Sequence, residues 1–199
     1  ELLFSFLQVH GYQGKPFMIN DTIKSVGELR NAIRNGLDYL ENMAHDLEWS
    51  DLEKNLREMG FEPGWGRSIV GIIDTMKMLA DLLEAPDHQN LEEFLNRIPM
   101  IFNIAVLSPH GYFGQKNVLG LPDTGGQIVY ILDQVRALEK EMIGRIYKQG
   151  LDIKPQILII TRLIPEAGQT TCNQPEEHVE GTENVHILRI PFKNTDGSI

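Results

Sequence analysis

The sequence predicts an α/β protein in two parts: an all-helical module, then the opening of a domain with a parallel sheet. Three observations carry this. Apolar residues before Pro99 recur at steps of three and four, and the period changes at about that proline. Beyond it, the stretch 101–160 reads as strand, glycine-rich loop, helix, strand, a βαβ unit with parallel strands and a right-handed crossover. The composition over 199 residues, 42% hydrophobic and 23% charged, is that of a soluble globular chain. The expected parts are 1–98 and 99–199.

In the first part Leu2, Leu3, Phe6 and Leu7 form the tail of a helix, which the stretch from Gly11 to Asn20 breaks. Ser25-Val26-Gly27-Glu28 matches a capping box, in which hydroxyl and carboxylate satisfy first-turn N–H groups reciprocally. Behind it Val26, Leu29, Ile33, Leu37, Leu40, Ala44 and Leu47 keep a helical period. Ser50-Asp51-Leu52-Glu53 is a second box, with Leu56 and Met59 following and Gly60 as the stop. Phe61 to Gly66 is a turn carrying two aromatics. A third helix rests on Ile69, Ile72, Ile73, Met76, Leu79, Ala80 and Leu83 and ends at Pro86. Asn90-Leu91-Glu92-Glu93 opens a short fourth, closed before Pro99. The Met and Leu stripes read as core, and carboxylates such as Asp81 and Glu84 as solvated surface. No catalytic constellation stands out here; packing against another subunit or domain is the function this half supports.

In the second part Ile101 to Leu107 has the length and β-branched content of a buried strand. A turn-rich connection holds Pro109, Gly111, Gly114, Gly120, Pro122 and Asp123. After Thr124-Gly125-Gly126, residues Ile128, Leu132, Val135, Leu138, Met142 and Ile146 place one apolar stripe along a helix. Gly150 is its stop, and Gln156 to Ile160 the second buried strand. A polar loop follows to Asn184, and Val185 to Ile190 reads as a third strand.

The glycine loop is where chemistry collects. The first turn of a helix leaves backbone N–H groups unpaired, and the helix dipole adds about half a positive charge there. Gly125 and Gly126 let a phosphate or a sugar hydroxyl approach without meeting a Cβ. Ligands of open α/β sheets lie beyond the carboxyl ends of the strands, where Ser108 to Gly126 fall. The alternative is that the glycine pair only relieves crowding, since it is not a G-x-G-x-x-G fingerprint. His110 has two readings as well, a donor to a sugar or phosphate oxygen, or a loop histidine bonded to a nearby carbonyl. Either Asp123 or Thr124 can be the N-cap of the helix.

Other features set bounds. The net charge of −10 gives no basic footprint for nucleic acid or an anionic membrane. The single cysteine, Cys172, has no internal disulfide partner and reads as a reduced thiol in a polar loop. The start lacks a basic leader and cleavage pattern, and no apolar run is long enough to span a bilayer. His10, His45, His88, His110, His178 and His186 show no metal-binding spacing. With Glu1 first and Ile199 last, the chain reads as an interior piece of something longer.

A family resemblance rests on these residues. Ser108-Pro109-His110-Gly111-Tyr112-Phe113-Gly114-Gln115, Asn117-Val118-Leu119-Gly120 and Pro122-Asp123-Thr124-Gly125-Gly126-Gln127 resemble sucrose synthases. So do Tyr130 to Glu139, Glu62 to Gly66, Leu82 to Asp87, Ile157 to Thr161 and Thr170-Thr171-Cys172, which together cover essentially the whole chain.

The resemblance implies a retaining glycosyltransferase of the GT-B type, with residues from about 99 opening its N-terminal Rossmann-like domain. The implied reaction is the reversible transfer of glucose between sucrose and a nucleoside diphosphate, giving the nucleotide sugar and fructose. Gly125, Gly126 and Gln127 match the loop that faces the donor diphosphate and the hexose, and His110 falls in the matching loop after the first strand. The catalytic histidine, the phosphate-binding arginine and lysine, and a glutamate-rich donor motif belong further along the family's chain, so 1–199 alone is expected to be inactive. UDP or ADP enters as substrate, with no cofactor and no metal. A homotetramer in the cytoplasm is implied, with the helical half in its contacts. Gly114, where plant members commonly have alanine, Lys116 and Leu121 depart from the plant pattern and leave UDP against ADP open. Sucrose-phosphate synthase, which shares D-T-G-G-Q, is the alternative family. A structural or oligomerisation module without nucleotide binding is the alternative class.

Overall fold

The computed structural model describes residues 1–192; the end of the expected second part, 193–199, lies outside the described residues. The chain forms two compact units. One comprises Glu1–Met100 with Arg145–Ile153, the other Ile101–Gly144 with Lys154–Ile199.

The helical unit contains α1 (Leu2–Val9), a hairpin of β1 (Gly11–Tyr12) and β2 (Lys15–Pro16), α2 (Val26–Leu40), α3 (Trp49–Glu58), α4 (Ile69–Glu84) and α5 (His88–Arg97). The first capping signal is met at Ser25 but not in its carboxylate half, and the second is shifted. Ser25 Oγ accepts the Glu28 N–H at 3.2 Å, but the Glu28 carboxylate turns back to the Lys24 N–H at 2.6 Å. The next helix starts two residues earlier than its box predicts, with Asp51 accepting the Glu48 N–H at 2.9 Å. The long period expected through Leu47 ends at Leu40, and the hairpin was not legible in the Gly11 to Asn20 breaker.

The unit's core is built from Leu29, Ile33 and Leu40 of α2, Leu52 and Leu56 of α3, and Ile69, Ile72, Met76 and Leu79 of α4, all buried. The aromatic turn is its keystone. Phe61 and Trp65 meet edge to face at 5.4 Å, and the Trp65 indole donates to the Met18 carbonyl at 2.6 Å, so neither ring strands a polar atom. Residues 145–153 join this unit rather than the sheet. The Arg67 guanidinium lies 3.8 Å over the Tyr147 ring and pairs with Asp152 at 2.8 Å, while the Arg67 N–H donates to the Lys148 carbonyl. The α2 stripe is covered within its own unit, so it does not by itself require a neighbouring subunit.

The second unit is a four-stranded sheet in the order β3-β4-β6-β5, made of β3 (Asn103–Leu107), β4 (Gln156–Arg162), β5 (Glu176–His178) and β6 (Val185–Ile190). The three expected strands are present and parallel, with Leu107 opposite Ile160 and Ile160 opposite Leu188. β5, hidden in the polar loop, pairs antiparallel with β6. Between β3 and β4 runs α6 (Gln127–Lys148). Its Ile128, Leu132, Val135 and Met142 pack with Ile157, Ile159, Val185 and Ile187 in one core, which Phe113, Val118 and Cys172 complete. On the opposite face of the sheet Leu107, Leu158, Leu188 and Ile190 are exposed.

Candidate functional site

The loop between β3 and α6 begins where the ladder ends: the Ser108 N–H donates to the Ile160 carbonyl at 2.9 Å. Gly111 then takes φ +67°, and a Cβ there would sit 2.0 Å from the Asp123 carbonyl oxygen, so the two limbs of the loop touch at a point only glycine permits. One residue on, the Tyr112 N–H donates to Thr124 Oγ1 at 2.9 Å, and that hydroxyl donates to the Pro122 carbonyl at 3.0 Å. The Thr124 hydroxyl is therefore spent on the loop and does not cap the helix. Neither Asp123 nor Thr124 is the N-cap; α6 starts at Gln127, directly after Gly126.

The far side of the loop is locked to the sheet. Phe113 is buried, and its carbonyl accepts from Arg189 Nη2 at 2.9 Å, Arg189 Nε at 3.3 Å and Cys172 Sγ at 3.5 Å. Gln115 donates to Glu177 Oε1 at 2.6 Å and to the His178 carbonyl at 2.8 Å, and accepts the Glu180 N–H at 2.6 Å. Cys172, expected as a reduced thiol in a polar loop, is a free thiol that lies fully buried beneath this loop. Glu177 pairs with Arg189. Burial pushes the Glu177 carboxyl up, but hydrogen bonds from Thr171, Arg189 and Gln115, with the Arg189 charge, outweigh it and hold the group below the ordinary glutamate value.

The near side is open. Gly125, Gly126 and Gln127 are exposed, and a Cβ on either glycine would meet nothing within 4 Å. Neither glycine takes a left-handed φ. Crowding therefore does not explain the pair; the open face over the first turn of α6 is what an added side chain would fill. That turn carries no acidic residue, and Arg145 and Lys148 stand in the last turn, an arrangement that leaves the positive end of a 22-residue helix unopposed. His110 is exposed on the same loop, with Nδ1 3.8 Å from Asp123 Oδ2, too long for a hydrogen bond. So the structure brings His110, Asp123 and the glycine pair onto one loop pair. Among the described residues the Asp123 carboxylate is the group that faces the ring, and no backbone carbonyl holds it. The arrangement offers backbone N–H donors and one imidazole to a ligand oxygen, chemistry that suits a phosphate or a sugar hydroxyl. Among the described residues no group of three or more His, Cys, Asp or Glu side chains could hold a metal ion, and no helix is long and apolar enough to cross a membrane.

Sequence reasoning passed over Thr124 as a loop tie and over Glu177 and Arg189 altogether. The last had a legible signal. Arg189 shares the strand phase of Val185 and Ile187, so a charge stands on the buried face of β6.

Comparison with known proteins bears on the same residues. Residues 89–199 match the family profile described as sucrose synthase first GT-B domain, and residues 1–67 match the one described as sucrose synthase EPBD domain. Sucrose synthase 3 of Arabidopsis thaliana is 55% identical over 99% of this chain and 24% of its own length. Sucrose synthase 2 of Pisum sativum is 56% identical, and sucrose synthase of Solanum tuberosum 54%, each over 99% of this chain and 24% of the relative. The chain thus spans about a quarter of the length of the curated relatives it matches.

Proposed function

Since the chain belongs to the sucrose synthase family, we propose that it forms one wall of the cleft in which glucose passes reversibly between sucrose and a nucleoside diphosphate. The observation that carries the site is the unfilled space over Gly125 and Gly126 at the start of α6. In the cleavage direction the glycosidic bond of sucrose breaks, the glucosyl group bonds a terminal phosphate oxygen of the diphosphate with retention, and fructose leaves with a proton. In reverse the diphosphate leaves. In both directions charge moves on and off the phosphate oxygens.

Apart from that of Ile128, which donates to the Gly125 carbonyl at 3.4 Å, the first-turn N–H groups of α6 are fixed dipoles for that charge, and they need no reorganisation as it develops. Gln127 adds a side-chain amide at the same end of the helix. The exposed His110 ring turns to a hydroxyl of the transferring hexose. The remaining groups, including those that hold the base and ribose, come from the rest of the full-length protein. A homo-oligomer is part of this reading, with the exposed apolar side chains Leu2 and Val9 of α1 as its contact surface.

The test is an assay of the full-length protein with sucrose and either UDP or ADP, following fructose and nucleotide sugar and reading the anomeric configuration by NMR. Formation of the α-configured sugar nucleotide is expected. Residues 1–199 alone are expected to give none, because a cleft with one wall neither orients two substrates nor excludes water. Turnover by 1–199 near the full-length rate, or none by the full-length protein with either nucleotide, would overturn the reading.

A further inference from the structure

We infer that Arg189 and Glu177 are positioning residues for the glycine loop: their buried pair clamps the Phe113 carbonyl and thereby fixes His110 to Gln115 at the carboxyl edge of the sheet. The inference rests on the reading of that loop as substrate-facing.

Arg189 occupies a core position of β6 with its side chain wholly buried. A guanidinium there costs several kcal/mol in lost hydration, and apolar residues of similar size would stabilise a core as well or better. What the polar arrangement adds is direction. Arg189 Nη1 donates to the Gln174 carbonyl at 3.0 Å, and Nη2 and Nε both donate to the Phe113 carbonyl. Two nitrogens of one rigid plane on a single oxygen fix its orientation as well as its distance. Glu177 Oε2 accepts from the same Nη2 that donates to Phe113, and Thr171 Oγ1, at 2.5 Å, and Gln115 Nε2, at 2.6 Å, hold Glu177. β5, β6, the turn at 171–174 and the loop at 113–115 therefore share one network.

The coupling from that network to the open side of the loop is short. Tyr112 precedes Phe113 and is tied through its N–H to Thr124, which is followed by Gly125 and Gly126. Gly111 is wedged against the Asp123 carbonyl, and His110 comes next. A Phe113 carbonyl free to turn would carry both limbs of the loop with it. Gly114 lies inside the network too: a Cβ there would come within 3.2 Å of Thr171 Oγ1 and 3.3 Å of Val118 Cγ1, a tight fit that a shift of those side chains by a few tenths of an ångström would relieve.

The experiment uses the full-length protein and two variants, Arg189→Lys and the double replacement Glu177→Gln with Arg189→Met. The lysine keeps the charge and the ion pair but loses the planar fork. The double variant removes both buried charges, so no orphaned ion confounds folding. Amide exchange over residues 110–116 and 124–127, thermal melts, and kcat and KM for sucrose cleavage are measured. The expected result is exchange about tenfold faster in those two segments with β4 and β6 still protected. It is accompanied by kcat lowered by about tenfold to a hundredfold and KM for the nucleotide unchanged. Loop exchange and kcat within about twofold of wild type in both variants would make the pair an ordinary core cross-link and overturn the inference. So would loss of protection across the whole sheet in both. A wild-type protein that transfers no glucose would sink the activity reading instead, while the exchange arm would still decide whether the clamp sets the loop.

Discussion

Thr124 Oγ1 accepts the Tyr112 N–H at 2.9 Å, so one hydroxyl joins the limb that leaves β3 to the limb that enters α6. The bond crosses twelve residues of turn-rich chain and sets how far His110 stands from Gly126. Thr124→Val keeps the shape and removes the acceptor. The expected loss in stability is about 1 kcal/mol, since the site is half-buried and water replaces part of the bond. Transfer by the full-length protein should fall further than the melt suggests. Kinetics and a denaturant titration on the same preparation check this, and an unchanged kcat with the expected loss of stability would confine Thr124 to folding.

Two glycines of the same loop should respond oppositely. Gly111→Ala forces a Cβ against the Asp123 carbonyl at a left-handed φ, for which about 1–2 kcal/mol of backbone strain is expected before any clash is added. Its melt should fall. A Cβ at Gly126 would have nothing within 4 Å, so the melt of Gly126→Val should change by no more than about 1 kcal/mol, the scale of a helix-cap effect, while transfer is crippled. Normal kinetics in Gly126→Val would remove this turn from the site. A collapsed melt would make the glycine structural.

His110→Ala in the full-length protein should lose about 2–4 kcal/mol of transition-state stabilisation, the scale of one preorganised donor. Its exposure predicts an unchanged melt. In the proposed reading groups outside 1–199 hold the nucleotide, so UDP affinity by calorimetry should be close to wild type. An unchanged kcat/KM for sucrose cleavage would return His110 to the surface. Equal losses in activity and UDP affinity would move it from the hexose to the nucleotide.

Acid stability should carry the mark of Glu177. Its carboxyl is held below the ordinary value of 4.5, so the folded state favours the ionised form. The stabilisation is fully present above that value and is lost as pH falls through the lower folded value. Thermal melts from pH 7 downward should show wild type losing stability below about pH 4.5 by more than Glu177→Gln does. At neutral pH the same variant should be the less stable by about 3–5 kcal/mol, because it leaves the buried Arg189 charge without its counter-ion. Parallel pH profiles for the two proteins would show that Glu177 ionisation is not coupled to folding.

Elements whose signals are local and periodic could be read directly from the order of residues. The strand Val185–Ile190, the start of β4 at Gln156, the apolar stripe of α6 and the helix beginning at Ile69 were all legible, because burial of one face writes itself into residue spacing. The loop was legible too, since a strand, a glycine pair and a helix in that order place it at the carboxyl edge of a parallel sheet. Only the tertiary structure decided what holds the loop. The Thr124 to Tyr112 bond spans twelve residues, and the Arg189 to Phe113 bond spans seventy-six. No periodicity encodes such partners, because a hydrogen bond depends on where two chains meet. Ser25 caps its helix as read, but the carboxylate partners differ for a related reason: the path of the backbone brought the Lys24 N–H to Glu28 and the Glu48 N–H to Asp51. Residues 145–153 went to the helical unit because the Arg67 guanidinium finds both a ring and a carboxylate there. The open space over Gly125 and Gly126 is likewise a property of the fold, since a glycine pair in sequence does not say whether its missing side chains would have met protein or nothing.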